Sequence, residues 1–286
     1  MKPAAFTYHA PGTIDEAVAL LAEHAPEDGR ILAGGQSLVP TMAFRLARPP
    51  HLIDINNVAG LDRLEVDGDT LHIGARVRHA AFHKPVCEGP LGALLSTVVA
   101  KIAHLPIRLR GTFCGSLAHA DPASEWCMVA ATLDAEMVAL STGGERIIAA
   151  RDYFEGVMST ALNEDELLAG VRLPMLAAGT RFGFQEFSRR AGDFAIAMAL
   201  ATYRVEDGKI ADAHVGIGGA EDRPRRITEA EAVLNGQAPG DEVFTAAAEA
   251  ASQAVDPMED AQNNALYRRD LVRAMTERAL KAAAGS

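Results

Sequence analysis

The stretch from Arg110 to Glu125, which reads RGTFCGSLAHADPASE, limits most strongly what this chain can fold into. Gly111 and Gly115 bracket Thr112, and short polar side chains follow around a bend at Pro122. Because glycine has no Cβ and tolerates positive φ, such a segment lets the main chain approach a ligand closely. Successive backbone N–H groups in a tight turn also form a concave anion site. The pattern predicts a loop that binds an anionic group.

A second glycine-containing segment, Ala33-Gly34-Gly35-Gln36-Ser37, lies earlier in the chain. A short strand is predicted over 30–33 directly before it, and Ser37 is predicted to cap a helix that continues to about Leu46. This strand–glycine–helix order is one in which an anion binds at a helix N-terminus. Either segment alone would mean little. Two such loops that face each other would clamp a diphosphate.

The composition indicates a globular chain of about two domains. The 286 residues can bury more than one core of ordinary size, and the hydrophobic fraction of 49% and charged fraction of 23% are typical of soluble proteins. The formal net charge of -11 argues against a nucleic-acid partner, which requires a clustered basic surface.

The termini and cysteines indicate a reducing compartment. The N-terminal MKPAAFTYHAPGTIDEAV lacks the charged and apolar regions of a secretory signal, and no apolar run reaches the length of a membrane span. Cys87, Cys114 and Cys127 have no CxxC spacing and are too few for the four thiolates of an iron–sulfur cluster. Their odd number argues against a disulfide framework. We therefore expect a cytoplasmic protein with no membrane span.

The N-terminal half reads as short α/β units followed by hairpins. Thr13 and Glu16 match a capping box, so a helix is predicted over 14–24. Asp67-Gly68 between alternating segments is a strong hairpin signal. Further predicted elements are strands over 51–56 and 166–173, a mostly buried helix over 91–103, and a second hairpin of 135–141 with 145–149.

A change in composition near 176–179 predicts a domain boundary, beyond which the chain reads as α+β. Strands are predicted over 182–187, 194–204 and 210–217. Thr228 and Glu231 match a second capping box, and Gly236 suits the C-terminus of that helix. Two more helices are predicted over about 241–255 and 264–283.

Four segments resemble signatures of one family, the FAD-binding medium subunits of molybdenum hydroxylases of the carbon monoxide dehydrogenase and xanthine dehydrogenase type. AGGQS at 33–37 is similar to the first diphosphate loop of that family. TFCGSLAHADPASE at 112–125 is similar to its second, usually written TIGGSLAHADP. FQEFSRRAGDFAI at 184–196 resembles the opening of its C-terminal domain, and ALYRRDLVRAMTERAL at 265–280 resembles its closing helix. The four occur in the family's order and span essentially the whole chain.

The resemblance implies an α+β fold. Two N-terminal subdomains of the PCMH (vanillyl-alcohol oxidase-like) type would hold FAD between them. A C-terminal domain would contain a three-stranded antiparallel sheet and helices. We expect the subdomains at 1–57 and 58–177 and the C-terminal domain at 178–286.

By matching position, the resemblance also implies the contacts to a non-covalent FAD. The two glycine segments would wrap the diphosphate from opposite sides. Ile102 would line the flavin or adenine environment, and Glu125 would bond the ribose hydroxyls. Leu162 would lie near the polar edge of the flavin, and Phe194 would approach the isoalloxazine ring. The full implied set is Ala33, Gly34, Gly35, Gln36, Ser37, Leu38, Ile102, Thr112, Phe113, Cys114, Gly115, Ser116, Asp121, Glu125, Leu162, Gln185, Glu186 and Phe194.

Two positions depart from the family's pattern. Cys114 replaces the first glycine of the second loop, so its backbone has to avoid strongly positive φ or bear strain. We expect its thiol to point away from the diphosphate. Glu186 stands where relatives often place a lysine near the flavin, and a carboxylate facing the ring would disfavour an anionic reduced flavin. Gln185 is the alternative neighbour that contacts FAD.

The implied function is electron transfer within a larger oxidoreductase. In the family, a molybdopterin subunit hydroxylates substrate with water and a [2Fe–2S] subunit passes electrons to FAD, which delivers them to NAD+, oxygen or a quinone. This chain has neither the cysteines nor the length for those other centres. The resemblance therefore implies a large molybdopterin subunit and a small iron–sulfur subunit as partners, in a heterotrimer or its dimer. No side chain is assigned as a general acid or base or as a metal ligand.

Three other functions stay open at this point. One is a freestanding FAD oxidase or reductase, and another is a module that binds a dinucleotide without turnover. A relative of benzoyl-CoA reductase with a [4Fe–4S] insert is disfavoured by the cysteine count. His119 and Asp121 could form a metal or His–Asp catalytic pair, but bracing of the loop is the favoured role because no positioned nucleophile or further ligand accompanies them.

Overall fold

The computed structural model describes residues 2–285, and its first unit is a small parallel sheet. The sheet contains β1 (Thr7–His9), β2 (Arg30–Leu32) and β3 (His51–Asp54) in the order β1-β3-β2. Two helices, α1 (Ile14–His24) and α2 (Leu38–Ala43), connect these strands. The predicted capping box is confirmed, because the Thr13 hydroxyl accepts from the Glu16 N–H and the Glu16 carboxylate accepts from the Thr13 N–H.

The second unit is a five-stranded antiparallel sheet in the order β4-β5-β10-β6-β7. Both predicted hairpins are confirmed, and Gly68 has the positive φ of 59° that its tight turn requires. A two-stranded ribbon precedes the last strand of the sheet. The strands are β4 (Leu64–Asp67), β5 (Thr70–Gly74), β6 (Glu136–Ser141), β7 (Gly144–Ala149), β8 (Phe154–Gly156), β9 (Ser159–Thr160) and β10 (Leu167–Pro174).

Helices occupy the chain between β5 and β6 and between β7 and β8, and part of the second glycine segment forms one of them. The prediction of an open loop there is wrong over 113–119, which form a helix. Thr112 is its N-cap and accepts from the Gly115 N–H, while Phe113, Cys114 and Leu117 bury one face. The helices are α3 (Gly89–Val99), α4 (Leu105–Arg108), α5 (Phe113–His119), α6 (Glu125–Thr132) and α7 (Ala150–Tyr153).

The C-terminal unit is an antiparallel sheet covered by helices. Three long strands, β11 (Arg181–Phe187), β12 (Ala197–Glu206) and β13 (Lys209–Gly218), agree with the predicted three-stranded sheet. A two-residue strand, β14 (Arg225–Arg226), pairs with β13 as a fourth strand at one edge of the sheet. The covering helices are α8 (Thr228–Leu234), α9 (Asp241–Ala254) and α10 (Ala265–Ala284).

The predicted capping box of α8 is wrong. The N-cap is Ile227, and no side chain caps the helix. The Glu231 carboxylate instead accepts from the backbone N–H of Val215 and from the guanidinium of Arg226. The sequence predicted that the Glu231 carboxylate would cap its own helix. In the structure, the guanidinium of Arg226 and a strand N–H satisfy its hydrogen-bonding capacity instead.

Strand β12 lies between two hydrophobic cores. Met198 and Leu200 pack into the N-terminal core, while Ala197, Ala199 and Ala201 pack into the C-terminal core. Because successive strand side chains point to opposite faces, a strand buried on both faces reads as a continuous apolar run.

The three-way division of the chain at 57 and 177 stays a prediction. No helix within residues 2–285 is both long enough and apolar enough to cross a membrane.

Candidate functional site

The two glycine segments are in direct backbone contact. A Cβ built on Gly34 would lie 2.5 Å from the carbonyl oxygen of Arg110 and 2.6 Å from the Cα of Gly111. Backbone atoms cannot move aside as a side chain can, so this approach requires glycine at position 34. The structure therefore brings together two turns that are far apart in the sequence.

A polar bridge ties the two turns together. The Asn56 amide donates to the carbonyl oxygen of Ala33 at 2.8 Å. The guanidinium of Arg78 donates both to Asn56 Oδ1 and to the carbonyl oxygen of Arg110. Asp54 Oδ1 also accepts from the Asn56 amide, which fixes the orientation of that side chain. Sequence reasoning missed Asn56 and Arg78, because nothing in their local pattern indicates a partner so distant in the chain.

Between the turns lies a cleft of about 500 Å³. A neighbouring cleft of about 310 Å³ shares Arg30, Ile31, Ala33, Gly115 and Ala118 with it, so the two form one continuous groove. Such volumes are in the range of small-molecule sites. Of the predicted site residues, the groove is lined by Ala33, Gly34, Gly35, Gln36, Ser37, Leu38, Thr112, Cys114, Gly115, Ser116 and Leu162.

The first turn presents backbone donors to this groove. No group within residues 2–285 accepts a hydrogen bond from the backbone N–H of Gly35, Gln36 or Ser37. Gly35 has a φ of +70°, a conformation that favours glycine. The Ser37 side chain, predicted to cap α2, makes no capping hydrogen bond. Three adjacent unpaired N–H groups at the start of a helix provide the donors that a diphosphate accepts from.

His79 adds a side-chain donor that sequence reasoning missed. Its ring is buried, lines the larger cleft, and accepts the indole N–H of Trp126 at Nδ1 over 2.9 Å. Because an indole nitrogen only donates, the neutral ring carries its proton on Nε2. Burial, followed by the charges of Arg78 and Arg108, lowers the pKa of His79 to about 4. His79 therefore stays neutral near pH 7.

Cationic side chains lie at the mouth of the same cleft. Arg30 and Arg48 line it together with a single carboxylate, Asp28. Asp28 forms an ion pair with Arg30 at 2.5 Å, and Arg48 donates to the carbonyl oxygen of Arg45. The formal charge of these three groups sums to a positive value. A dianionic diphosphate therefore fits this end of the groove better than a neutral ligand.

The other predicted site residues lie outside the two clefts. The Phe113 ring is fully buried against Trp126 and Phe82, and Ile102 is buried in the segment that follows α3. Asp121 accepts from the Ala123 N–H in a local turn and makes no hydrogen bond to His119 among the described residues. Glu125 begins α6, Gln185 and Glu186 lie on β11, and Phe194 is 68% exposed before β12. Their contacts with FAD stay predictions.

Glu125 on α6 and Glu186 on β11 form an acidic pair, because the Glu186 carboxylate is one of the charges that raise the pKa of Glu125. Burial, and then the neighbouring Glu186 and Asp121 carboxylates, raises the pKa of Glu125 to about 8. Burial also raises the pKa of Glu186 to about 7, while Lys101 opposes that shift. Glu186 Oε2 has no hydrogen-bond partner within the described chain. Burial therefore favours the protonated form of both carboxyls relative to exposed ones.

Cys114 lies in the first turn of the helix α5, within the second glycine segment. Its φ is not positive, as expected, so this side chain introduces no strain of that kind. The thiol donates to the carbonyl oxygen of Ile73 at 3.5 Å, and burial raises its pKa well above the usual range. The neutral, buried thiol is a packing group and not a nucleophile. Its direction relative to a diphosphate stays a prediction.

Comparison with protein families covers nearly the whole chain. Residues 4–176 match the family described as the FAD binding domain in molybdopterin dehydrogenase. Residues 182–283 match the CO dehydrogenase flavoprotein C-terminal domain. The two matches follow each other in the order expected from the sequence motifs.

Individual relatives and solved structures agree with these matches. The chain is 38% identical over 280 residues to the nicotine 6-hydroxylase medium subunit of Paenarthrobacter nicotinovorans, covering 98% of each chain. It is 37% identical to the caffeine dehydrogenase subunit beta of Pseudomonas sp. strain CBB1, covering 99% of this chain and 96% of that one. The fold matches a chain of carbon monoxide dehydrogenase from Hydrogenophaga pseudoflava with a TM-score of 0.95 and 35% identity, covering 100% and 99%. The chain thus belongs to the family of FAD-binding medium subunits of molybdenum hydroxylases, which are oxidoreductase flavoproteins.

Proposed function

We propose that this chain holds one non-covalent FAD with its diphosphate between the two glycine turns. The observation that carries the proposal is the contact of Gly34 with Arg110 and Gly111, which places both turns on one groove. The groove provides three unpaired backbone donors at 35–37 and a net positive charge. These features fit the two phosphates of a dinucleotide.

The chain's own residues hold and orient this cofactor. The N–H groups of Gly35, Gln36 and Ser37 donate to one phosphate. The Nε2–H of His79 supplies a donor near the second turn, and its tautomer is fixed because Trp126 occupies Nδ1. Leu162 lines the far end of the groove, where the flavin is expected. Bound FAD supplies the electron transfer, and the protein supplies position and electrostatics.

The sequence suggests that Glu186 is a charged carboxylate beside the flavin, but its raised pKa favours the uncharged form. Its pKa of about 7 leaves a large fraction of the group protonated and uncharged near neutral pH. A neutral carboxylic acid does not repel negative charge on a neighbouring ligand, whereas a carboxylate does. Glu186 is thus compatible with a site where relatives often carry lysine.

We further propose that the chain works inside a larger complex. A small subunit with a [2Fe–2S] cluster would pass electrons to FAD, and a large molybdopterin subunit would hydroxylate the substrate. The likeness to medium chains of carbon monoxide dehydrogenase supports this arrangement. We expect a heterotrimer or its dimer. The three cysteines are all free, which is consistent with a cytoplasmic location.

The decisive experiment is a visible spectrum and metal analysis of the native, co-purified complex. The proposal predicts about one FAD per copy of this chain, together with iron–sulfur absorbance and molybdenum. A flavin-free and metal-free monomer would contradict it. Reduction of flavin by a small organic substrate in the isolated chain would instead support a freestanding oxidase or reductase.

Substitution in the turns tests the location of the diphosphate. Gly35→Val and Gly115→Val should each abolish FAD retention, because a branched side chain occupies space at the groove. At Gly115 a Cβ would also lie 2.6 Å from Thr112 Oγ1, which caps α5. Gly240→Ala is the control, since a Cβ there meets nothing within 4 Å. Stoichiometric flavin in either valine variant would refute the proposed location.

A further inference from the structure

Three histidines from separate elements meet on the N-terminal sheet, and none of the three lines the groove. His9 ends β1, His24 ends α1, and His51 begins β3. One ring nitrogen from each of the three lies within 4.8 Å of the others. Within residues 2–285, this is the only group of three or more histidine, cysteine or acidic side chains that meets such a distance.

The rings are already joined to one another. His9 Nε2 and His51 Nδ1 are 3.0 Å apart and share one hydrogen bond. The His24 ring stacks on the His51 ring with centroids 3.9 Å apart and 6° between their planes. The side chains of His24 and His51 are only 12% and 19% exposed. Each neutral imidazole has a donor nitrogen and an acceptor nitrogen that need partners. Three such rings in contact, all partly shielded from water, are therefore an unusual arrangement.

A carboxylate lies behind this cluster. Glu27 Oε2 is 3.5 Å from His51 Nε2, the ring nitrogen that faces away from His9. In metal sites a ligating histidine usually donates its other N–H to a carboxylate, which orients the ring and raises its basicity. Glu27 lies on the side of His51 from which it could play this part, with His51 Nδ1 left for a metal.

We propose that His9, His24 and His51 bind one divalent transition metal ion, with Glu27 orienting His51. Three imidazoles suit Zn²⁺, Cu²⁺ or Ni²⁺ better than Mg²⁺ or Ca²⁺, which prefer oxygen ligands. The metal would replace the proton shared by His9 and His51. His24 would turn out of its stack, because a nitrogen lone pair lies in the plane of its ring. Water would complete a tetrahedral set.

Binding would cross-link β1, α1 and β3, of which β1 and β3 are already paired in the small sheet. The strands β1 and β2 contain three residues each, and the loop after α1 leads through β2 into the first glycine turn. A metal on β1, α1 and β3 would restrain this small sheet. The proposal does not depend on FAD binding, and the flavin content of each variant reports on that function separately.

The test uses the full-length chain in its native complex, purified without a histidine tag and treated with a chelator. Zn²⁺ is then titrated against an indicator dye, and Co²⁺ is added separately to look for the visible bands of a tetrahedral site. We expect one additional Zn²⁺ per chain and a melting temperature that rises with Zn²⁺ concentration. His24→Gln should weaken binding at least ~10-fold, and Glu27→Gln by a factor on the order of 10.

His72→Gln is the matched control, because His72 lies on β5 outside the cluster. It should bind Zn²⁺ as the unchanged chain does. Equal Zn²⁺ affinity in His24→Gln and His72→Gln would overturn the proposal, as would the absence of an additional Zn²⁺ in the unchanged chain. If His24→Gln folds poorly, Glu27→Gln decides, since it leaves all three ligands in place.

Discussion

Arg78 donates a hydrogen bond to the backbone carbonyl of Arg110, the same oxygen against which Gly34 packs. The same guanidinium reaches Asn56, which in turn holds the carbonyl of Ala33. One side chain thus links both halves of the groove, at Arg110 directly and at Ala33 through Asn56. The spacing between the glycine turns depends on this link as well as on the absence of a side chain at position 34.

Gly34→Ala should separate the two turns. The added methyl group would meet backbone atoms at 2.5 and 2.6 Å, so the main chain has to shift, at a cost of about 1–3 kcal/mol in the free energy of unfolding. We expect a lower melting temperature and loss of most FAD from the purified chain. Gly240→Ala should change neither, because its φ of 177° is ordinary extended backbone and the space beside it is open. Equal flavin content in the two variants would contradict this account.

Arg78→Ala should loosen the groove without adding bulk. It removes charge-assisted hydrogen bonds to Arg110 and Asn56, each worth about 1.5–3 kcal/mol. We expect faster release of FAD, measured by the flavin fluorescence that appears on dilution. Arg78→Lys should restore little, because an ammonium group cannot reproduce the fork of a guanidinium. Arg151→Ala, at a side chain that is 83% exposed, is the control and should release FAD at the normal rate.

The acidic pair predicts an unusual pH dependence for the flavin-free chain. The pKa of Glu125 is about 8 in the folded state, against 4.5 without burial. Between these values the folded state binds more protons than the unfolded state, so stability falls as the pH rises from about 4.5 to 8. Glu125→Gln should flatten this fall in urea-unfolding experiments at successive pH values.

Glu155→Gln is the control for this pH dependence, because Glu155 is exposed on β8. That variant should keep the slope of the unchanged chain. A Glu125→Gln variant with the full slope would show that the buried carboxyl is not its source. Glu186→Gln should flatten the slope partially, since its pKa of about 7 is also raised by burial.

His79→Ala should destabilise the core beside the groove. It leaves the indole N–H of the fully buried Trp126 without its acceptor, which costs roughly 1–3 kcal/mol before any cavity forms. His79→Gln should recover part of this loss, because its amide oxygen can accept the same hydrogen bond. Trp126 is the only tryptophan in the chain, so its fluorescence reports urea unfolding directly. Equal stability of the two variants would argue against a role for this hydrogen bond.

Much of the fold could be predicted because its signals are local. The Thr13–Glu16 capping box, the Asp67-Gly68 hairpin and the three long strands of the C-terminal sheet follow from short patterns. Predictions from local sequence were wrong where a side chain binds a distant partner instead of its neighbours in the chain. Glu231 caps nothing because Arg226 and the Val215 N–H bind its carboxylate.

The sequence by itself determined the family, the order of the units and the two glycine turns, since these depend on motifs of a few adjacent residues. Only the tertiary structure decided that Arg78 and Asn56 join those turns, that burial raises the pKa of Glu125 and Glu186, and that His9, His24 and His51 meet. Each of these results depends on the distance between groups that are far apart in the chain or on their exclusion from water. Both quantities are set by packing and cannot be read from spacing along a sequence.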